Sequence, residues 1–386
     1  MRICFLYESA FTLGGIQRCI TMLSNYLVNK GYDVSIICTR TKVKEDRELY
    51  GLDNKVKVIF TNKKSILKKV IYRLLIFLKK LNHKFKFLHK ETLNFIYSFL
   101  YKKDIEKILA EKSFDIVIGC GGFYTKLLSL IKNETIKKIG WQHSSYDRYF
   151  NVHFLNEDEI VQEMFENIDE YIVLTIDDKE KLKNLKKVET KVIYNPIGFK
   201  QENKSNLENK KFIALGRLNK LKGFDLLIDS FYEFNKKNKE WTLDIVGEGS
   251  EKESLEEQIK KLNLQKFVRV LPRTNKVKEV YQEASVYCMS SRAEGWGLVI
   301  LEAMESGLPI ISYDMPCIRE IAQDDEVVII ENGNYKEYAE AMLELAERKD
   351  KRENLAKKSI EIAKRFSIEN IGKQWEKLFE ELESTK

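Results

Sequence analysis

The stretch Ser290-Ser291-Arg292-Ala293-Glu294-Gly295-Trp296-Gly297-Leu298-Val299-Ile300-Leu301-Glu302-Ala303-Met304 is the most specific in the chain. Glu294 and Glu302 stand eight residues apart, with Gly295 and Gly297 marking a tight turn before an apolar run that reads as a helix. A helix start exposes backbone N–H groups and the positive end of a dipole, which suits a hydroxyl-rich or phosphorylated ligand. Glu294, before the turn, can accept hydrogen bonds from sugar hydroxyls. Glu302, read as two turns into the helix, can reach a second part of the same ligand. Leu13-Gly14-Gly15-Ile16-Gln17-Arg18 follows the first strand and opens a helix. Its glycines let backbone approach a phosphate closely, although a lone Gly pair is weak evidence and differs from the GxGxxG of dinucleotide enzymes. His143, in Trp141-Gln142-His143-Ser144-Ser145, comes directly after a predicted strand. A lone histidine is more often a structural hydrogen bonder, and His83, His89 and His153 have no comparable setting.

These residues need elements to hold them. Short apolar runs alternate with longer helical stretches through the chain. Strands are predicted at 2–7, 33–38, 56–60, 115–119, 136–141 and 170–174, then at 211–215, 242–246, 267–271, 285–289, 308–312 and 326–330. Helices are predicted at 223–238, 251–262, 276–283, 296–306 and 335–348, and from Gln17 to Lys30, where Gly31 supplies a stop. Alternation of this kind implies parallel sheets with helices on both faces. The polar stretch Lys200 to Lys210 has one apolar residue in eleven and reads as a linker between two halves. Open α/β sheets bind ligands at the carboxyl ends of their strands, so a cleft between two Rossmann-like halves is the expected site. A last helix is predicted from Ile368, with Ser367 as N-cap.

Composition agrees with this plan. The 386 residues are 44% hydrophobic and 32% charged, which suits about two globular domains and excludes a disordered or collagen-like chain. The six cysteines form no CxxC pair and most lie in apolar runs, so reduced, buried thiols in a cytosolic setting are expected, without a zinc site. Met1 to Tyr7 reads as a strand rather than a secretory leader, and no run of about 18 uncharged apolar residues predicts a transmembrane helix.

The net charge of +7 makes an anionic partner plausible without choosing it. One segment is more telling. Residues 62–90 hold nine Lys, one Arg, two His and no acidic residue. Leu67, Val70, Ile71, Leu74, Leu75, Leu78, Leu81, Phe85 and Leu88 recur at helical spacing, predicting one apolar face among lysines. A basic amphipathic helix suits an anionic membrane surface, the alternative being a helix whose lysines are merely solvated. No nucleic-acid motif accompanies the charge, so no nucleic acid partner is expected.

The 290–304 stretch, continued by the Leu301-Glu302-Ala303-Met304-Glu305-Ser306-Gly307-Leu308-Pro309 run, resembles the retaining glycosyltransferases of family 4, with Glu294 and Glu302 as their E-x7-E motif. Ala214-Leu215-Gly216-Arg217-Leu218 and Lys220-Leu221-Lys222-Gly223-Phe224-Asp225 form a second matching block. Weaker matches are Leu243-Asp244-Ile245-Val246-Gly247-Glu248-Gly249 and Tyr194-Asn195-Pro196-Ile197-Gly198. The resemblance is strong over 211–320 and only suggestive over 40–140, where acceptor recognition usually lies. It implies the GT-B architecture, α/β with two Rossmann-like domains facing each other across a cleft. The implied domains are an acceptor-binding 1–198 with a basic insertion at about 62–103, a nucleotide-sugar-binding 199–365, and a helix at 366–386 packing back on the first domain. Gly-Trp-Gly (295–297) stands where Gly-Phe-Gly is commoner in the family.

The resemblance also implies roles. Arg217 and Lys222 bind the donor diphosphate, with Gly14 and Gly15 facing it. Glu294 and the backbone of Gly295, Trp296, Gly297 and Leu298 hold the sugar, Glu302 binds ribose, and His143 contacts the sugar near the reacting carbon. Tyr146 and Arg148 are candidates for acceptor contact. No Asp-x-Asp occurs, which disfavours the metal-dependent GT-A class, so no metal or cofactor is expected and the nucleotide sugar is a substrate. The implied activity is transfer of a hexose or N-acetylhexosamine, from a UDP-sugar by family frequency, to a growing, lipid-linked glycan in surface or capsular polysaccharide synthesis. The implied place is cytoplasmic, peripheral on the inner membrane face. The alternatives are a nucleotide-sugar epimerase of the same fold, a phosphorylase-like enzyme with pyridoxal, and a non-enzymatic partner subunit.

Overall fold

A computed structural model describes residues 1–384. The chain gathers into two compact units, Met1–Pro196 together with the C-terminal stretch from Ile368, and Ile197–Ser367. Each unit is a parallel sheet whose strands are separated in sequence by helices.

The sheet of the first unit contains β1 (Arg2–Tyr7), β2 (Asp33–Cys38), β3 (Lys57–Phe60), β4 (Ile116–Cys120), β5 (Lys137–Trp141), β6 (Glu170–Val173) and β7 (Lys191–Val192). Their order is β3-β2-β1-β4-β5-β6-β7, every pair parallel. β1, β2 and β4 are buried through their interiors, which is why they read as continuous apolar runs rather than alternating ones. The strand order reverses between β1 and β4. The Gly15–Asn29 helix follows β1, and the Ile368–Ser384 helix lies against it, with Gly372 placed so close to Tyr26 that an added Cβ would stand 2.3 Å from its ring. Trp375 of that helix meets Trp141 edge to face at 4.9 Å, both fully buried.

The second sheet contains β8 (Lys211–Leu215), β9 (Thr242–Val246), β10 (Val268–Leu271), β11 (Val286–Met289), β12 (Ile310–Tyr313) and β13 (Val328–Ile330), ordered β10-β9-β8-β11-β12-β13 and again all parallel. Here the reversal lies between β8 and β11. Phe212 of β8 anchors an aromatic cluster, with Trp241 at 4.7 Å and Phe234 at 5.2 Å.

Three details differ from the sequence reading. Lys200–Lys210, read as a linker, lies within the second unit: Gln201 and Leu207 are buried, the Gln201 N–H donates to Glu305 Oε1 at 3.0 Å, and Ser205 N–H to the Ser306 carbonyl at 2.9 Å. Few apolar residues sufficed because backbone groups hold the segment. The Lys349–Arg365 helix passed unnoticed, its inward face resting on small residues such as Ala356, Ser359 and Ala363. The basic segment forms the Ile66–Phe85 helix, capped by Ser65, whose hydroxyl accepts from Lys68 N–H at 3.3 Å. Its apolar residues do not share one face. Leu75, Ile76 and Leu88 pack on the first unit, whereas Leu67, Val70, Leu74, Leu78 and Phe85 stay exposed.

Candidate functional site

In the second unit, three loops leave the carboxyl ends of neighbouring strands: 216–223 after β8, 247–250 after β9 and 290–297 after β11. They are packed backbone on backbone. Gly223 has φ +61°, and a Cβ there would stand 2.0 Å from the Ser290 carbonyl oxygen. Only glycine fits both demands. Arg292 then ties the loops together. Its guanidinium makes a fork to Asp225, with Nη1 at 2.8 Å from Oδ1 and Nη2 at 2.6 Å from Oδ2, and its N–H donates to the Leu221 carbonyl at 2.8 Å. Ser290 Oγ donates to the Lys222 carbonyl at 2.9 Å.

The candidate side chains ride on this frame. Lys222, in the short turn Lys220–Lys222 capped by Asn219, forms an ion pair with Glu294. Glu294 also accepts from Ser291 Oγ at 2.8 Å. Arg217 is exposed and makes no ion pair among the described residues. Gly297, with φ +75°, is the N-cap of the Leu298–Glu305 helix and supplies no side-chain acceptor. The backbone N–H groups of Leu298 and Val299 therefore have no intrahelical partner. Lys222, Glu294 and the helix start at Leu298 thus lie on the loops of the two strands where the sheet's order reverses, the place where such sheets take ligands, and Arg217 is on the first of those loops.

Glu302 sits differently from the expectation. The helix begins at Leu298, so Glu302 lies about one turn in rather than two. Its carboxylate is buried, with Tyr281 Oη at 3.3 Å from Oε2. Trp296 is buried too, its ring 5.4 Å from Phe366. Of Gly-Trp-Gly, the backbone faces the loop and the indole belongs to the core.

In the first unit, His143 follows β5. Its ring lies 4.3 Å from that of Trp141, and both ring nitrogens are inaccessible to solvent and lack a hydrogen-bond partner among the described residues. Burial pushes its imidazole down to about 3, so it is neutral at ordinary pH. The loop carrying it is clamped by Asp178, which accepts from Gln142 Nε2 at 2.9 Å and from Tyr146 N–H at 2.7 Å. Burial raises the Asp178 carboxyl to about 6, against the lowering effect of the Tyr146 N–H. Tyr149 completes the clamp, its hydroxyl accepting from Gly122 N–H at 3.1 Å. Gly14 and Gly15 come after β1, and Gly14 N–H donates to Tyr50 Oη at 2.8 Å. Tyr146 is buried, its ring 4.8 Å from that of Phe150. Arg148 is exposed.

The sequence reading missed Asp178, Gln142, Tyr149, Ser291 and the Arg292–Asp225 fork. One signal was available. Thr175-Ile176-Asp177-Asp178 has helix-start spacing, and Thr175 Oγ1 does cap Asp178 N–H at 3.0 Å. That marks a helix start without revealing that the Asp178 side chain reaches back to residue 142.

Comparison with known proteins fits this geometry. Residues 13–200 match Glycosyltransferase Family 4, and residues 198–362 match Glycosyl transferases group 1. Together the two matches span residues 13–362 and support a glycosyltransferase of GT-B type. An uncharacterized glycosyltransferase of Haemophilus influenzae is 28% identical over 97% of this chain and 98% of its own length. The amylovoran biosynthesis glycosyltransferase AmsD of Erwinia amylovora is 32% identical over 53% of this chain and 60% of its own. Among solved structures, S. aureus TarM with fondaparinux, alpha-GlcNAc-glycerol and UDP superposes with a TM-score of 0.77 at 16% identity, covering 98% of this chain and 99% of that one. Anabaena HepE with UDP and glucose gives 0.72 at 18%, covering 99% and 100%. At such identities these two likenesses concern the fold.

Proposed function

We propose that this glycosyltransferase is retaining and metal-independent. It moves a hexose or N-acetylhexosamine from a UDP-sugar to a growing, lipid-linked glycan of the cell surface. The observation that carries the reading is the Lys222–Glu294 ion pair, which joins the loop after β8, where Arg217 also lies, to the loop that leads into the helix start at Leu298. Fixed cations and N–H groups there stabilise the charge that a departing nucleoside diphosphate develops. The polysaccharide context is supported by AmsD, and the UDP donor by the UDP held in TarM and HepE.

In this reading a diphosphate competes with Glu294 for the Lys222 ammonium. Glu294, kept in place by Ser291, then turns its lone pairs to sugar hydroxyls, and Glu302 serves the ribose. In the first unit, Gly14, Gly15 and His143 are the substrate-binding candidates. His143 bonds a substrate hydroxyl only once its two ring nitrogens, inaccessible to solvent and unpartnered among the described residues, are uncovered. Without a second nucleophile, retention follows a front-face path. The bond from the anomeric carbon to the phosphate oxygen breaks, the bond to the acceptor oxygen forms on the same face, and the acceptor proton passes to the leaving phosphate.

Calorimetric titration with UDP-, GDP- and dTDP-sugars tests the reading. One UDP-sugar binds selectively, and Glu294→Ala weakens it roughly tenfold to a hundredfold, the worth of a hydrogen bond to a charged group. Wild-type protein that binds none of them overturns the donor assignment.

A further inference from the structure

The Ile66–Phe85 helix turns one apolar face into the first unit and a second face out to solvent. Along the outer face, Leu67, Val70, Leu74, Phe77 and Leu78 recur at three- and four-residue spacing. Leu67 is 69% exposed, Leu74 60% and Phe77 58%, values that a helix serving only as core packing would not show. The helix is nevertheless firmly mounted. Lys79 pairs with the buried Glu157 at 3.0 Å, His83 Nε2 lies 3.2 Å from the same carboxylate, and Asn82 Oδ1 accepts from Leu88 N–H at 2.7 Å. Firm mounting with an uncovered apolar face indicates a surface that something else covers.

Charge identifies the cover. Residues 62–90 hold ten basic side chains and no carboxylate, while the rest of the chain carries more acidic than basic groups. The net positive charge is therefore concentrated in this helix and the residues that flank it. Arg73, Lys80 and Lys84 are exposed and border the apolar stripe. Two copies meeting through such faces would bring like charges together, whereas an anionic bilayer satisfies stripe and border at once. Among the described residues no helix is long and apolar enough to cross a membrane. We propose that this helix lies in the headgroup plane of an anionic lipid bilayer, with the Leu67–Val70–Leu74–Phe77–Leu78 stripe at the acyl boundary. This deepens the lipid-linked reading above and names its second partner. It is measured without donor or acceptor, so either can fail alone.

The test is co-sedimentation of the full chain with vesicles of phosphatidylglycerol and phosphatidylcholine, against pure phosphatidylcholine. Binding to the anionic vesicles only, falling as salt rises, is expected. Leu74→Glu with Phe77→Glu should abolish it, and neither exposed change disturbs packing. Changing Arg73, Lys80 and Lys84 together to Gln should weaken partitioning roughly a hundredfold at low salt. The same change at Lys103, Lys107 and Lys357, exposed elsewhere, should leave it within a few-fold. No binding to anionic vesicles overturns the proposal. So does binding that survives both helix variants, or a dimer in solution that only the Leu74/Phe77 variant dissolves.

Discussion

Arg217 and Lys222 are cations five positions apart on one loop, yet they are held differently. Arg217 is exposed and without an ion pair, so Arg217→Ala should leave stability within about 0.5 kcal/mol. If it neutralises the leaving diphosphate, the same change should cut kcat/KM by about 10²–10³-fold. Wild-type turnover removes the assignment. The residues of the His143 loop make a prediction about pH. Asp178, raised from 3.8 to about 6, destabilises the fold once ionised, so its contribution falls as pH rises from about 4 to 6. His143, lowered from 6.5 to about 3, resists protonation, so its contribution falls as pH drops below 6.5. The two slopes oppose each other over the same range. His143→Gln should expose the first, with stability declining toward pH 6, and Asp178→Asn the second, with stability declining toward pH 4. Each slope approaches 1.4 kcal/mol per pH unit at most. Urea unfolding across this range measures both, and level profiles in both variants refute the pairing. His143 was visible in the sequence because it directly follows an apolar strand. Asp178 was not, because its partners lie 36 and 32 positions away.

At the scale of elements, the loops after β8 and β11 are joined by the Arg292–Asp225 fork and by the close approach at Gly223. The fork is partly exposed, so its worth in stability is at most about 1 kcal/mol. Its worth in position is greater, because a lysine cannot reproduce the two parallel bonds. Arg292→Lys should therefore weaken donor binding about tenfold while the unfolding free energy moves by less than about 1 kcal/mol. Titration and urea unfolding on one preparation separate the two effects. Gly223→Ala should be the opposite case, costing more than about 2 kcal/mol through its left-handed φ and the Ser290 carbonyl. The strands were legible because buried parallel strands announce themselves as short apolar runs, and twelve of the thirteen lie at predicted places. β7 escaped because two residues at a sheet edge, Lys191 and Val192, carry no pattern. The basic segment was legible as a helix but not in its facing. Spacing alone assigned Leu67, Leu74 and Leu75 to one side, and only the packing of Leu75 against the first unit separates them.

At the scale of the molecule, the chain leaves the first unit at Pro196 and returns to it at Ile368. The last helix thereby completes a unit whose other residues lie far back in sequence. Tyr26 Oη donates to Glu376 at 2.6 Å, and Lys191 pairs with Glu381 at the β7 edge. The central contact is Trp375 on Trp141, and Trp141 in turn lies against His143. The end of the chain thus supports the candidate site in the first unit, while the loops after β8 and β11 depend on contacts within Ile197–Ser367. Trp375→Ala removes a fully buried indole and should cost about 3–5 kcal/mol, the usual range for such a cavity. The loss should be local. Hydrogen exchange should speed up across β1, β4 and β5, while β8, β9 and β11 keep their protection. If Arg217 and Lys222 hold the donor, nucleotide-sugar binding should then weaken less than in Arg217→Ala. Exchange that speeds up equally in both sheets would show that the two units unfold as one cooperative body, and the division of labour argued from their separate contacts would fall with it.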